Sequence, residues 1–267
     1  MRPLNELKNL RGRVAIVTGG TGHAGSAIAE ALAESGAAVV IIGRDKLKCR
    51  YKAEDISRRF HVAALPLAID LEDEYKIRQI NKKVLREFGR VDILVNCAAI
   101  LTDSRTNKLF APFEAQDTIS WRKAIEVNLT AAFVLTQACR EVLELSGKGS
   151  VINISSIYGI SGPDMRLYKG TKMGNSAAYA ASKGGLVQLT RWLATVLAPR
   201  VRVNAISSGG IFRNQDKRFI DRYVARTPLR RMASEEDLKG AAIYLASDLS
   251  AYVTGHNLIV DGGWTVW

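Results

Sequence analysis

Cysteine is scarce. The three in this sequence of 267 residues, Cys49, Cys97 and Cys139, lie too far apart to suggest a disulfide framework or a metal knuckle. The simplest setting is a reducing, intracellular one, and no metal site is expected. Long apolar runs are missing as well. No apolar stretch reaches the ~18 residues needed to span a membrane. The opening "MRPLNELKNLRGR" lacks the apolar centre of a secretory signal. A cytoplasmic protein with no membrane partner is the expectation. No proline- or serine-rich linker divides the chain and no internal repeat is visible, so 1–267 reads as one domain. Charge is not balanced: 38 Lys and Arg against 26 Asp and Glu give +12. The basic residues are scattered, as at Arg58-Arg59, Lys82-Lys83 and Arg230-Arg231, with no long stripe interleaved with aromatics. The excess is read as solvated surface with a few contacts to small anions, and no nucleic-acid partner is expected.

What is present is ordinary for a globular protein, 47% hydrophobic and 24% charged residues. Short runs rich in Val and Ile recur at 13–19, 37–43, 61–70, 91–96, 149–155, 200–207 and 257–263, and read as strands buried on both faces. Between them lie stretches with helical periodicity, at 25–36 and at about 72–88, 117–145, 178–198 and 235–247. Alternating strands and helices imply right-handed crossovers. The expected fold class is α/β, a single doubly wound, Rossmann-like parallel sheet with helices on both faces. The segment 157–177 has no period and follows a strand. In such folds ligands sit outside the carboxyl ends of strands, so this stretch is expected to be an insertion loop at the active site.

The run "VTGGTGHAGSAIA" follows the first strand directly. Gly20 to Gly25 fits G-x-G-x-x-G in a strand–turn–helix context, where a helix N-terminus offers free N–H groups to a diphosphate. Gly19, Thr21, Gly22, His23, Ala24 and Gly25 are the expected cofactor contacts, His23 as a loop residue beside the diphosphate rather than a catalyst. An acidic residue at the end of the second strand would bind the ribose hydroxyl of NAD. That place falls at Gly43, with Arg44 next. A guanidinium without a carboxylate suits a 2′-phosphate, so NADP(H) is favoured over NAD(H). Asp45 stands against this, being close enough to neutralise Arg44.

Two Y-x-x-x-K patterns follow, Tyr168 with Lys172 and Tyr179 with Lys183. Chemistry on a carbonyl or alcohol needs a proton donor or acceptor near neutral pH. A tyrosine with its usual pKa of about 10 is helped by a nearby ammonium. On a helix, residues four apart share a face. Only Tyr179–Lys183 continues into a helical apolar pattern, Leu186, Leu189, Leu193 and Leu197. The helix requirement selects that pair.

These motifs, with Asp70, "NCAA" at 96–99, Asn128 in "EVNLTAAF", "INISS" at 152–156, "RVNAIS" at 202–207 and "VDGG" at 260–263, resemble the short-chain dehydrogenase/reductase family from about residue 11 to 263. The resemblance implies a catalytic tetrad at Asn128, Ser156, Tyr179 and Lys183. In it Tyr179 is the general acid or base, Lys183 lowers its pKa and holds the nicotinamide ribose, Ser156 binds the substrate oxygen and Asn128 positions a water. It further implies cofactor contacts at Asp70, Leu71, Asn96, Ala98, Gly209 and Ile211. It also implies a homotetramer or homodimer built on the helices at about 117–145 and 178–198. The apolar tail "WTVW" would be awkward on a monomer.

The sequence departs from the family pattern in places. His23 stands where most single-domain members carry glycine, "NCAA" replaces N-N-A-G, and Ser208 replaces a proline, which predicts a less rigid loop before Ile211. The interval from Ser156 to Tyr179 is long for the family; that to Tyr168 is nearer the usual one. The added residues resemble an insertion in bacterial members that modify sugars and surface glycans. Tyr158, Tyr168, Lys172 and Arg213 are then candidate substrate residues. The function expected is an NADP-dependent oxidoreductase interconverting a secondary alcohol and a ketone on a small polyhydroxylated substrate. The alternatives are a 3-oxoacyl thioester reductase and a nucleotide-binding regulator or scaffold without turnover.

Overall fold

The structure is a computed structural model that describes residues 1–100 and 111–267. Seven strands form one parallel sheet: β1 (Val14–Thr18), β2 (Ala38–Gly43), β3 (Ala64–Ala68), β4 (Ile93–Asn96), β5 (Gly149–Ser156), β6 (Val201–Ser208) and β7 (Asn257–Val260). Their order is β3-β2-β1-β4-β5-β6-β7. The fold class is the α/β one expected, with each expected strand in place. β1, β4 and β5 are buried along their whole length, which is why they read as continuous apolar runs. The expected strand at 61–70 is shorter. It lies at the sheet edge, where Pro66 costs no interior ladder bond.

A single helical turn, α1 (Leu4–Leu7), precedes the sheet. On one face pack α2 (His23–Glu34), α3 (Lys46–Phe60) and α10 (Lys239–Ala246), which bury Ile28, Leu32, Ala53, Ile56 and Leu245. On the other lie α4 (Glu74–Arg78), α5 (Ile80–Phe88), α7 (Ala131–Leu145) and α8 (Ala177–Leu197), which bury Ile77, Val84, Leu135, Leu143, Leu193 and Leu197. The expected helix at 117–145 is α6 (Thr118–Ile125), a π turn over Glu126–Thr130, and then α7. Besides the single turn α1, the helices α3 and α9 (Lys217–Arg226) were not expected from periodicity. Another correction concerns His23, which is the first residue of α2 and not a loop residue. Among the described residues no helix is long and apolar enough to cross a membrane.

The segment 157–177 is more ordered than its composition suggests. Short 3-10 turns form at Ile157–Gly159 and Met165–Tyr168. Tyr168 and Leu167 join Phe219 and Tyr223 of α9, with Met232 and Trp264, in a small core of their own. Arg222 donates to the Leu167 and Lys169 carbonyls, and Arg226 pairs with Asp164. The insertion is thus clamped onto α9 above the sheet.

Candidate active site

Strand order reverses between β1 and β4, and the carboxyl ends of the strands there open into a cleft of about 1030 Å³. The glycine turn forms its floor. Gly19 takes φ +65°, and a Cβ there would sit 2.9 Å from the Ala98 Cα. A Cβ on Gly25 would lie 2.2 Å from the Gly19 carbonyl oxygen. Gly22 is the N-cap of α2 and has no side chain to cap it, so the N–H groups of His23, Ala24 and Gly25 are left for a ligand. Thr18 fixes the facing loop, its hydroxyl accepting from the Cys97 and Ala98 N–H groups at 3.0 and 3.2 Å.

At the far end the cleft is lined by Arg44, Asp70 and Leu71. Among the described residues Asp45 makes no ion pair with Arg44. It caps α3, its Oδ1 accepting from the Leu47 and Lys48 N–H groups at 2.9 and 3.0 Å. Asp70 accepts from the Glu72 N–H through Oδ1 at 3.1 Å. Gly209 and Ile211 line the opposite bank. Ser208, read as a loosening substitution, is the last residue of β6, paired with both Ser156 and Val260. Beyond it, Gly210 N–H donates to the Tyr223 hydroxyl at 2.6 Å, which anchors the loop. Asn96 does not line the cleft. Its amide donates to Asn153 at 2.8 Å, and Asn153 donates to Thr190 at 2.9 Å, a buried chain tying β4 and β5 to α8.

Ser156 ends β5 and Tyr179 lies in the first turn of α8, whose N-cap is Ser176. Their side chains are hydrogen-bonded. Lys183, one turn on, is 2% exposed; its Nζ donates to the Ile154 carbonyl at 2.7 Å and lies 5.7 Å from the Tyr179 ring centre. Burial pushes the Tyr179 hydroxyl up to about 12, against the Ser156 hydrogen bond, and pushes Lys183 down to about 8. The tyrosine is thus raised where a lowering by the lysine was expected, and Ser156 supplies the opposing effect. Asn128 sits in the π turn and does not line the cleft. Its Oδ1 accepts from the Ile100 N–H at 2.7 Å and its amide donates to Ser182 at 3.1 Å, which joins α8 to the loop after β4.

Of the candidate substrate residues, Tyr158 and Tyr168 line the cleft with their hydroxyls 2.7 Å apart. Lys172 does not; it is exposed outside the cleft, so the second Y-x-x-x-K pattern brings no lysine to the site. Arg213 lines the cleft but is paired with Glu235 at 2.9 Å. Sequence reasoning missed Glu235 and Asn175. Asn175 is hydrogen-bonded to Tyr168, and its Oδ1 is buried without a partner among the described residues. No local pattern marks either residue, because tertiary packing alone brings them to the cleft.

A diphosphate fits the uncapped helix start and glycine floor, a ribose the buried lysine, and an adenosine the Arg44–Leu71 end. The fold and the cleft define an oxidoreductase that uses a nicotinamide dinucleotide. Comparison with known proteins agrees. The family profile described as "Enoyl-(Acyl carrier protein) reductase" matches residues 22–265. The chain is 33% identical over 259 residues to 3-oxoacyl-[acyl-carrier-protein] reductase FabG of Aquifex aeolicus, covering 95% of this chain and 98% of the relative. A gluconate 5-dehydrogenase from Burkholderia cenocepacia, in complex with NADP and tartrate, matches at TM-score 0.87 and 30% identity over 99% of this chain and 100% of its own. A short-chain dehydrogenase from Leptospira borgpetersenii with bound NAD+ matches at 0.83 and 34%, over 99% and 96%. The chain belongs to the short-chain dehydrogenase/reductase family and is an NAD(P)-dependent oxidoreductase.

Proposed function

We propose that the protein interconverts a secondary alcohol and a ketone on a small polyhydroxylated substrate, with NADP(H) preferred. The observation that carries this reading is the polar wall beside Tyr179. The Tyr158 and Tyr168 hydroxyls and the Asn175 side chain, whose buried Oδ1 has no partner among the described residues, supply the hydrogen-bonding groups for substrate hydroxyls. An acyl chain would offer these groups no partner beyond the bond the two tyrosines make with each other. The gluconate 5-dehydrogenase neighbour, solved with tartrate, supports a hydroxylated acid or sugar as the class.

The cofactor, when bound, supplies or accepts the hydride at the substrate carbon. Ser156 donates to the substrate oxygen and orients it toward Tyr179. Tyr179, held protonated by burial, delivers its proton to that oxygen in reduction and takes it back in oxidation. Lys183 lies where it holds the ribose and stabilises the phenolate left by proton transfer. Asn128 acts on the site through Ser182 and Ile100, as a positioning residue. Arg44, free of Asp45, faces the 2′-phosphate end and is the basis for preferring NADP(H).

A second reading is reduction of 3-oxoacyl thioesters, favoured by the similarity to the Aquifex reductase. The test is an NADPH-consumption assay on a panel of keto-sugars, keto-aldonates and a short 3-oxoacyl thioester. Higher kcat/KM on the hydroxylated ketones is expected. Higher values on the thioester would overturn the substrate class, and tight NADPH binding without any turnover would favour a regulator. The exposed Phe133, Trp192 and Val196 on α7 and α8 support a homo-oligomer, tested by light scattering.

A further inference from the structure

Three charged or titratable side chains from distant parts of the chain meet at the mouth of the cofactor cleft. Glu235 Oε1 lies 2.9 Å from Arg213 Nη1 and 3.4 Å from His23 Nδ1. His23 opens α2 at the glycine turn, Arg213 stands in the loop after β6, and Glu235 begins the helical turn before α10. All three line the cleft. They bridge its two banks above the uncapped start of α2.

We propose that Arg213 is a diphosphate-binding residue of the cofactor site, and that Glu235 competes with the diphosphate for its guanidinium. The free N–H groups of residues 23–25 are where a diphosphate docks. Arg213 reaches from the opposite bank to within one carboxylate of the His23 ring, beside those N–H groups. Its side chain is held by Glu235 and by the Phe212 carbonyl, to which Nη1 donates at 2.7 Å, and this pairing toward His23 moves it from the substrate to the cofactor. Its loop is fixed: the Arg213 N–H donates to Gln215 Oε1 at 2.7 Å, and Gln215 donates back to the Ile211 carbonyl at 2.7 Å.

Charge then sets the signs. A guanidinium fork pairs with two phosphate oxygens better than with one carboxylate oxygen shared with an imidazole. The Arg213–Glu235 pair is partly exposed, with side chains 27% and 34% accessible, so breaking it costs little. The Glu235 carboxylate also repels a dianion placed at the same mouth. Arg213 therefore favours cofactor binding and Glu235 opposes it. The inference rests on the dinucleotide site and is independent of both the substrate class and Arg44.

The test is equilibrium titration with NADPH and NADH, read by nicotinamide fluorescence without substrate, on the wild-type protein, Arg213→Ala, Arg213→Lys, Glu235→Gln and the Ala/Gln double variant. Arg213→Ala should weaken both nucleotides by about tenfold, the loss of one charge-assisted contact, and equally, since the diphosphate is common to them. Arg213→Lys should recover part of the loss. Glu235→Gln should tighten both by about threefold, and in the Arg213→Ala background the same change should give a smaller gain, because only the repulsion and not the competition for the guanidinium is then relieved. Unchanged nucleotide binding in Arg213→Ala, with a raised KM for a carboxylated substrate, would return Arg213 to the substrate. Weakening by Glu235→Gln would make Glu235 a mere support and overturn the competition. An NADPH-only effect of Arg213→Ala would place the arginine at the 2′-phosphate instead.

Discussion

Lys183 is anchored to the sheet before it meets any ligand: its Nζ donates to the Ile154 carbonyl at 2.7 Å, within β5, while facing the Tyr179 ring. The hydrogen bond fixes the lysine's position but does not offset its desolvation, and its pKa falls to about 8. Tyr179 moves the other way, to about 12. Near neutral pH both groups carry their protons, the state required for reducing a ketone.

The titration of Lys183 sets the first prediction. Above about pH 8 the lysine loses its charge while Tyr179 keeps its proton. The kcat/KM for ketone reduction should therefore fall above about pH 8, with unit slope on a logarithmic plot, because this parameter reports groups of the free enzyme. Lys183→Arg, which cannot deprotonate in this range, should remove the fall in whatever activity it retains. A profile from pH 6 to 10 checks both; a wild-type profile flat to pH 10 would remove Lys183 from the chemistry.

The two tyrosines of the Y-x-x-x-K patterns should separate cleanly. Tyr179→Phe removes the proton donor and should lower kcat by about 10²–10⁴-fold with NADPH affinity nearly unchanged. Tyr168→Phe leaves Tyr179 in place but deprives the Tyr158 hydroxyl of its 2.7 Å partner. Its effect should fall on the KM of a hydroxylated substrate, with kcat within about tenfold of wild type. Steady-state kinetics on both variants with one ketone decides between them.

Arg44 should read the 2′-phosphate, because Asp45 is committed to capping α3. Arg44→Ala should weaken NADPH by about tenfold or more, the loss of a charge-assisted contact, and leave NADH unchanged. Parallel fluorescence titrations give the ratio directly. An equal loss for both nucleotides would mean that Arg44 does not discriminate them.

The strands were legible as short apolar runs, buried along their whole length in β1, β4 and β5 and only partly in the edge strands β3 and β7. The helix at 178–198 was legible because Leu186, Leu193 and Leu197 turn to the core at helical spacing. That same helix picked Tyr179 over Tyr168 where chain spacing pointed the other way. Helices α3 and α9 escaped because half or more of their positions are charged. Only Cys49, Ala53 and Ile56 of α3, and Phe219 and Tyr223 of α9, are buried, too thin a stripe to stand out. In the site, Asn96 and Asn128 carry motif positions, yet their amides serve the scaffold through Asn153 and Ser182. Motif membership alone does not say which way a side chain turns. Glu235 and Asn175 are brought in by tertiary packing, and Lys172 is turned out by it.

The glycine turn yields the sharpest structural prediction. A Cβ on Gly25 would sit 2.2 Å from the Gly19 carbonyl oxygen and 2.7 Å from its carbon. These are backbone atoms, and Gly19 itself is wedged against Ala98 with φ +65°, so neither side of the contact can give way. Gly25→Ala must push α2 away from the turn, at an overpacking cost of about 1–3 kcal/mol. That should appear as a Tm drop of several degrees together with loss of measurable NADPH binding. Gly22 offers the control: its Cβ would meet only the Gly19 oxygen, at 3.2 Å, and its φ of −83° suits alanine. Gly22→Ala should keep most of the stability and lose less affinity. If Gly25→Ala binds NADPH as wild type does, the turn relaxes without moving the helix start, and the diphosphate site does not depend on that close approach.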